Sequence, residues 1–274
     1  MMVKKSFEEI GVYETLRKLK DVGYNTIEVS QLPMTPENVA ELKRACEDFD
    51  LSVAAMSAIL EDVKLPGAPP QKRENLADDF DKIVADCKAV NCNFLRMGIL
   101  PFQYLASKES VIQFAQKADS MSDRLKEHGI SFYYHTHHFE FAQFDGEYVL
   151  DIIRDNSSKI GFELDVHWIW RGGLDPVKFI KGYAGRVKLL HLKDYRIGHL
   201  DLSGGDFGKS MAGIVEFAEV GEGSLDMKSI IEVGLASGAE YLIVEQDQTY
   251  GRDPFESLQI SRDNLIKLGY KDLF

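Results

Sequence analysis

Short runs of apolar, β-branched and aromatic residues alternate along this chain with longer amphipathic segments. The runs are mostly continuous rather than alternating, which is typical of parallel strands covered on both faces. Repetition at intervals of about 25–35 residues favours right-handed βαβ units. Seven runs are predicted as strands: YNTIEVS (24–30), LSVAAMSA (51–58), NFLRMGI (93–99), ISFYYHT (130–136), KIGFELD (159–165), RVKLLHLKD (186–194) and AEYLIVEQ (239–246).

The amphipathic segments carry recognisable helix starts. Asp226 precedes MKSIIEVGLASG as an N-cap. Three further segments place an N-cap residue before a proline in the first helical turn: Thr35-Pro36, Asp175-Pro176 and Asp253-Pro254. This alternation predicts an α/β fold, a single (β/α)8 TIM-barrel domain over residues 1–274, and the 45% hydrophobic content suffices for one large core.

The start of the predicted barrel is irregular. A closed barrel needs eight strands, yet only MMVKK precedes the first helix, SFEEIGVYETLRKLKDVG. We interpret MMVKK as the end of a short or clipped first strand; an incomplete barrel and an open doubly wound sheet are the alternatives. Two loops stand out, 64–75, which is expected to cap the barrel mouth or form an oligomer contact, and the glycine-rich segment 195–225, whose length suggests a functional loop.

The net charge of −12 disfavours nucleic acid and anionic membranes as partners. Cys46, Cys87 and Cys92 are odd in number and lack metal-binding spacing, so reduced thiols are expected. No apolar run approaches the length of about 18 residues needed to span a membrane, and the N-terminus does not resemble a signal peptide. We therefore expect a soluble cytoplasmic protein, and we place the contact of any homodimer at the loops around the site.

Three successive apolar runs each carry an acidic or imidazole side chain at or near their C-terminal end. Asp165 ends KIGFELD, His191 lies in VKLLHLKD, and Glu245 ends EYLIVE. Because the C-termini of parallel barrel strands face one side, these side chains are expected to converge. Hard oxygen ligands with an imidazole are typical of a site for one divalent cation. Each residue alone could equally cap a helix or pair with a lysine, so the metal hypothesis depends on their joint occurrence.

The segment YYHTHHFEF contains the highest density of potential catalytic and metal-binding side chains in the chain. His135 and His137 share one strand face by the two-residue period, whereas His138 points the other way. Glu140 follows in the loop and is predicted as the fourth metal ligand, with His137 as the substitute candidate. Since imidazole titrates near neutral pH, His135 and His137 are candidate proton carriers, as is Glu140 if it is not a ligand.

Further candidates lie in the later motifs. Lys193 is on the face of His191 and could polarise a carbonyl or hold an oxyanion. His167 is predicted to bind a substrate hydroxyl, and Trp168 to offer an apolar face to a sugar ring, with packing under a loop as the alternative. Glu222 is a further substrate-binding candidate, in a turn (VGEGSLD) whose backbone N–H groups could cradle an anion.

Arg96 lies inside an apolar strand, where an unpaired charge would be costly. It is expected to pair with Glu28 or Glu163 inside the barrel. This role is structural rather than catalytic.

The motifs FELDVHW, VKLLHLKD, EVGEGSLD and LIVEQD, in this order, resemble the sugar phosphate isomerase/epimerase family, which has a xylose isomerase-like TIM barrel. YHTHHFEF is similar to a Y-H-x-H subgroup that includes inosose dehydratase-like and keto-sugar-processing members. The resemblance implies one divalent ion (manganese, cobalt, magnesium or zinc) held by Glu, Asp, His and Glu, of which the last three match Asp165, His191 and Glu245. His135 stands where tagatose epimerase-like members carry the first glutamate, so the first ligand is open.

These features predict a divalent-metal-dependent isomerase or epimerase of a small carbohydrate or cyclitol. It would remove a proton next to a metal-bound carbonyl and stabilise the resulting enediolate. A dehydratase or lyase of a keto-sugar or inosose is one alternative, because loss of a β-hydroxyl can follow the same proton removal. A catalytically inactive sugar-binding or assembly subunit is another, because the epimerase-type glutamate is missing.

Overall fold

A computed structural model describes residues 2–63, 73–200 and 203–274. Strands and helices alternate through most of these ranges, with short 3₁₀ turns at Phe102–Ala106, Phe139–Phe141 and Lys271–Leu273. The elements, in chain order, are α1 (Lys4–Val22), β1 (Thr26–Val29), α2 (Pro36–Phe49), β2 (Ser52–Ser57), α3 (Phe80–Ala89), β3 (Phe94–Met97), α4 (Lys108–Lys126), β4 (Ser131–His135), β5 (Gln143–Phe144), β6 (Glu147–Tyr148), α5 (Val149–Asp155), β7 (Gly161–Asp165), α6 (Val166–Arg171), α7 (Pro176–Lys181), β8 (Val187–Leu192), β9 (Asp194–Ile197), α8 (Phe207–Ala212), β10 (Val215–Ala218), α9 (Met227–Ala236), β11 (Tyr241–Val244) and α10 (Pro254–Lys267).

Seven strands form one parallel sheet in the order β1-β2-β3-β4-β7-β8-β11. The order follows the sequence without the reversal that defines a doubly wound sheet, so the TIM-barrel prediction is confirmed. All seven predicted strands are present. The interpretation of MMVKK as the end of a first strand is wrong for the described residues, because residues 2 and 3 form a turn and Lys4 and Lys5 begin α1. Within the described ranges, β1 and β11 do not pair with each other. The result is a nearly closed barrel of seven strands.

The predicted helix starts are confirmed by their caps. At each of the four positions, a side-chain oxygen accepts a hydrogen bond from a backbone N–H of the first turn, which satisfies a donor that the helix itself leaves unpaired. The capping residues are Thr35 of α2, Asp175 of α7, Asp226 of α9 and Asp253 of α10. No helix in the described part of the chain is both long and apolar enough to cross a membrane.

The two predicted loops have different outcomes. Most of the first, residues 64–72, lies outside the described residues. The second is not a plain loop, because β9 and β10 pair as an antiparallel hairpin and α8 lies between them. Phe217 of this hairpin contacts His167, with ring centroids 4.7 Å apart, and Tyr195 stacks on Trp170 at 3.4 Å. The hairpin therefore covers one side of the barrel mouth.

An aromatic layer fills the N-terminal end of the barrel interior. Phe94 lies between Tyr133 and Tyr241, with ring centroids 5.4 and 5.8 Å away. Gly161 of β7 faces the Tyr133 ring so closely that a Cβ atom there would overlap it. The missing side chain of Gly161 therefore provides the space that the tyrosine occupies.

A charged layer lies above the aromatic one. Arg96 of β3 contacts both expected partners, Glu28 Oε1 at 2.5 Å and Glu163 Oε2 at 3.2 Å. Arg96 is 5% exposed and Glu163 is fully buried. Because inward positions recur every second residue, the next inward side chains lie at the C-terminal ends of the strands, where the candidate site is formed.

Gly161→Ala is expected to lower the free energy of unfolding by about 1–3 kcal/mol, because the added methyl group must displace the buried Tyr133 ring. Urea denaturation measures the change. Gly204→Ala is the matched control, since a Cβ atom there meets no heavy atom within 4 Å. Equal stability of the two variants would contradict the close packing at the barrel floor.

Candidate functional site

Four buried side chains converge at the C-terminal mouth of the barrel. They are His135 at the end of β4, Asp165 at the end of β7, His191 on β8 and Glu245 just after β11. Each offers one ligand atom, and these atoms lie within 4.8 Å of one another. The structure thus brings together three of the predicted metal ligands, and the fourth member of the group is His135.

Glu140 lies elsewhere. Its carboxylate is fully buried and accepts hydrogen bonds from the Tyr134 hydroxyl and, at 2.9 Å, from the His137 backbone N–H. The side chain of Tyr134 points outward from β4, because the side chain of the neighbouring His135 points inward. Glu140 is thus held on the helix side of the barrel wall, and the geometry does not favour the prediction that it is the fourth ligand. Burial raises the pKa of Glu140 to about 7.

Two carboxylates of the charged layer, those of Glu28 and Glu163, face the Nε2 atom of His191. His191 Nε2 lies 3.0 Å from Glu28 Oε2 and 3.4 Å from Glu163 Oε1, whereas Nδ1 lies 2.9 Å from Glu245 Oε2. Burial disfavours the imidazolium, but Glu163, Glu28 and Glu245 together outweigh it and raise the pKa of His191 well above its ordinary value. If a cation replaced the proton on Nδ1, Nε2–H would still be donated to a carboxylate, and Nδ1 would act as the ligand.

Lys193 lies among three carboxylates at the same mouth. Its Nζ is 2.8 Å from Glu245 Oε2, 3.2 Å from Asp165 Oδ2 and 3.0 Å from Asp247 Oδ1. It also lies 5.1 Å from the centroid of the Trp168 ring. Asp247 was not among the residues predicted from the sequence, although it follows Glu245 by two residues in LIVEQD and so belongs to the same face.

The charges of this cluster fit a bound cation. Arg96 and Lys193 are its permanent cations, and the carboxylates paired with them exceed them by three: Glu28, Glu163, Asp165, Glu245 and Asp247. Such an excess of buried negative charge is costly unless protons or a cation compensate it. Carboxylate oxygens together with imidazole nitrogens are suitable ligands for a divalent ion.

Two buried candidate ligand atoms lack a directed hydrogen bond, which also favours a bound cation. Within the described ranges, neither Asp165 Oδ2 nor His135 Nδ1 takes part in a directed hydrogen bond, although Oδ2 lies 3.2 Å from the Lys193 ammonium and Nδ1 lies 2.9 Å from Glu163 Oε2. Burial, only partly offset by Lys193 and His191, raises the pKa of Asp165 to about 6. A carboxylate that is costly to ionise in this environment would gain from coordination to a cation.

His135, at the end of β4, and His137, two residues later, have surroundings that favour the neutral imidazole. Burial lowers the pKa of His137 to about 2, and burial together with the charges of His191 and Arg96 lowers that of His135 well below its ordinary value. Titration near neutral pH, on which their prediction as proton carriers was based, is therefore not favoured by their surroundings. A neutral imidazole remains suitable as a ligand or a hydrogen-bond partner.

A cavity of about 1100 Å³ opens above the group, and His135, His137, Trp168, Lys193 and Asp247 are among its lining residues. The indole N–H of Trp168 has no partner among the described residues. Trp168 thus borders the cavity and also packs against Phe217 of the hairpin, and its contact with a substrate ring stays a prediction.

The other two predicted substrate-binding residues do not line this cavity. His167 is 1% exposed and is covered by Phe217, and neither ring nitrogen has a partner in the described part of the chain. Glu222 is exposed and accepts a hydrogen bond from Asn264 Nδ2 at 3.0 Å. Their substrate-binding roles stay predictions that the geometry does not favour.

The glycine-rich turn before α9 already holds an anion. The Asp194 carboxylate accepts hydrogen bonds from the backbone N–H groups of Tyr195, Gly221, Gly223 and Leu225 at 2.9–3.2 Å. The anion cradle that the sequence indicated is therefore occupied by a side chain of the same protein.

Comparisons with known proteins agree with this architecture. A sequence model of the family described as Xylose isomerase-like TIM barrel matches residues 16–266. An inosose dehydratase of Lacticaseibacillus casei is 28% identical over 148 residues, which are 53% of this chain and 50% of that protein. The match thus spans only about half the length of this curated relative.

Two solved structures share the fold. A sugar phosphate isomerase/epimerase from Parabacteroides distasonis is 22% identical, with a TM-score of 0.75 over 97% of this chain and 95% of the other. A xylose isomerase-like TIM barrel protein from Mycobacterium smegmatis in complex with magnesium is 14% identical, with a TM-score of 0.61 over 96% and 89% of the two chains.

Glu140→Gln is expected to gain stability over the unchanged protein as the pH rises. The folded-state pKa of Glu140 is raised from 4.5 to about 7, so the folded state binds this proton more tightly than the unfolded state. The free energy of unfolding of the unchanged protein therefore falls as the pH rises between these values, by at most about 3 kcal/mol from this group.

Urea denaturation at pH 5 and pH 8 measures this effect. Glutamine cannot lose the proton, so the stability difference should grow with pH. Glu127→Gln, at an exposed position, is the control. A difference that does not change with pH would contradict the raised pKa of Glu140.

Proposed function

This chain belongs to the xylose isomerase-like TIM barrel family, and from that membership we propose a divalent-metal-dependent isomerase or epimerase of a small carbohydrate or cyclitol. The observation that carries the proposal is the convergence of His135, Asp165, His191 and Glu245 below an open cavity. The named activities of similar proteins support a carbohydrate substrate. The three free cysteines are consistent with a cytoplasmic location, which we also propose.

We assign the cation to these four residues. When bound there, a manganese, cobalt, magnesium or zinc ion would polarise a substrate carbonyl and so acidify the neighbouring C–H group. The carboxylates of Glu28 and Glu163 would hold the His191 ring so that its Nδ1 faces the ion. The magnesium complex of a protein with the same fold supports a divalent ion in this kind of barrel.

The remaining chemistry is assigned to residues of the cavity wall. Lys193 places an ammonium group where an oxyanion would develop on the substrate, and this charge stabilises it. Asp247 is the proposed proton acceptor, because its side chain is 19% exposed and does not belong to the four-residue group. His137 and Trp168 contact substrate hydroxyls and the ring face.

Dehydration is the second candidate, and the match to an inosose dehydratase favours it. Removal of the proton beside the carbonyl is common to both reactions. They differ in whether the enediolate is reprotonated or loses a β-hydroxyl. The product formed from an inosose distinguishes them directly.

The purified protein is expected to contain about one divalent ion per chain, measured by elemental analysis. His135→Ala should lose this ion because it removes a ligand nitrogen, and Asp165→Asn because it removes the negative charge of a ligand, whereas Glu140→Gln should keep it. The reverse pattern, loss in Glu140→Gln and retention in His135→Ala, would make Glu140 the ligand. If the unchanged protein binds no divalent ion even when resupplied, the metal-dependent function is wrong and the inactive sugar-binding subunit takes its place.

Asp247→Asn is expected to lower kcat by about 10²–10⁴-fold while the metal content is kept, because the variant lacks the proton acceptor. The assay follows deuterium incorporation from D₂O into an inosose and a ketopentose by NMR. Glu222→Gln is the control, since Glu222 contacts Asn264 outside the cavity. Undiminished exchange in Asp247→Asn would refute the assignment of the base, and no exchange in the unchanged protein would refute proton abstraction from these substrates.

A further inference from the structure

Ser30 and Ser57 lie at the ends of β1 and β2. They face the cavity mouth across from the four residues to which we assign the ion, here called the cation group: His135, Asp165, His191 and Glu245. We propose that their hydroxyl groups form a second subsite, which binds hydroxyl groups at the far end of an uncharged polyol substrate. This inference rests on the proposed function, because it requires a substrate whose other end is held at the four-residue group.

The sheet register places these serines side by side. Val29 of β1 is paired with Met56 of β2, so the following residues, Ser30 and Ser57, are neighbours on strands that lie about 4.8 Å apart. Ser30 is two residues beyond Glu28, whose side chain points into the barrel, and it therefore has the same inward orientation. Both serines line the large cavity.

Both hydroxyl oxygens are buried and lack a hydrogen-bond partner within the described ranges. A buried hydroxyl without a partner is unfavourable, so most such groups in proteins are paired with protein, water or ligand. Two adjacent unpaired hydroxyls on one cavity wall indicate a place where a ligand supplies the missing hydrogen bonds.

Two buried nitrogen atoms without a hydrogen-bond partner lie on the opposite wall of the cavity. His137 Nδ1 and Trp168 Nε1 are also buried and unpaired, and both residues line the same cavity. The four residues of the cation group lie on or just after β4, β7, β8 and β11, whereas β1, β2 and β3 carry none of them. A substrate held at the group would therefore reach the serines with hydroxyls distant from its carbonyl.

The chain bends sharply immediately after Ser30. Gln31 also lines the cavity and has a φ of 57°, a left-handed conformation that is uncommon for a residue other than glycine. Such backbone conformations are often found at binding sites, where the surrounding structure maintains them. This geometry fixes the end of β1, and with it the position of the Ser30 hydroxyl, before a ligand arrives.

The charge of the wall indicates the class of ligand. Serine hydroxyls both donate and accept hydrogen bonds, which suits neutral hydroxyl groups. A phosphate group would be better bound by unengaged cations or by backbone N–H groups. Four cations among the described residues line the cavity, and each already has a partner in the protein. Three are paired with carboxylates: Lys82 with Glu74 and Asp86, Arg96 with Glu28 and Glu163, and Lys193 with Glu245, Asp165 and Asp247. The fourth, Arg73, also takes part in an interaction within the protein.

Calorimetric titration of the manganese-loaded protein with myo-inositol and D-arabitol tests the subsite. Ser30→Ala and Ser57→Ala are each expected to weaken binding of the polyol by about tenfold, the loss typical of one hydrogen bond. Ser52→Ala is the matched control, because Ser52 is an exposed residue at the other end of β2. Inositol 1-phosphate should bind no more tightly than myo-inositol.

The outcomes separate this inference from the proposed function. Equal affinity of the unchanged protein, Ser30→Ala and Ser57→Ala would overturn the subsite, as would the failure of both polyols to bind a protein that holds its ion and exchanges protons. Tighter binding of inositol 1-phosphate would overturn the uncharged ligand class. Loss of the ion or of proton exchange in the unchanged protein would instead refute the proposed function, and the subsite with it.

Discussion

The ion pairs of Arg96 with Glu28 and Glu163 are the interaction on which the candidate site depends. They place a fully buried charged layer between the aromatic floor and the mouth of the barrel. Breaking a buried pair leaves uncompensated charge, typically at a cost of about 3–5 kcal/mol, so these residues are strongly constrained. Because Arg96 neutralises part of their charge, Glu28 and Glu163 can also face His191 and orient its ring.

The alternation of inward and outward residues explains which parts of the site could be predicted from the sequence. Asp165 and Glu245 close apolar runs and His191 lies within one, so each belongs to a strand whose direction in a parallel barrel is known. Glu140 comes after its strand, and no periodicity describes the path of a loop. The buried hydroxyl of Tyr134 holds it outside the barrel, and only the folded chain places these two groups together.

Other features could not be predicted because of their residue type, although their positions follow from the strand pattern. Asp247, Ser30 and Ser57 all follow from counting every second residue, but serine at a strand end carries no chemical signal by itself. The hairpin of β9 and β10 lies in a glycine-rich stretch, where strand propensity is weak. Asp194 occupies the backbone cradle that the neighbouring turn would otherwise offer to a ligand, because a side chain close in space competes for the same N–H groups.

The surroundings of Lys193 restrict the mechanism of the proposed reaction. Burial disfavours its charged form, but Asp165, Glu245 and Asp247 outweigh that penalty and raise the pKa of Lys193 above its ordinary value. If the ammonium gave up its proton, the buried excess of negative charge would increase. Lys193 is therefore suited to act as a fixed positive charge beside a developing oxyanion rather than as a proton carrier. With His135 and His137 held neutral, proton transfer is left to a carboxylate, and Asp247 contacts the ammonium without belonging to the cation group.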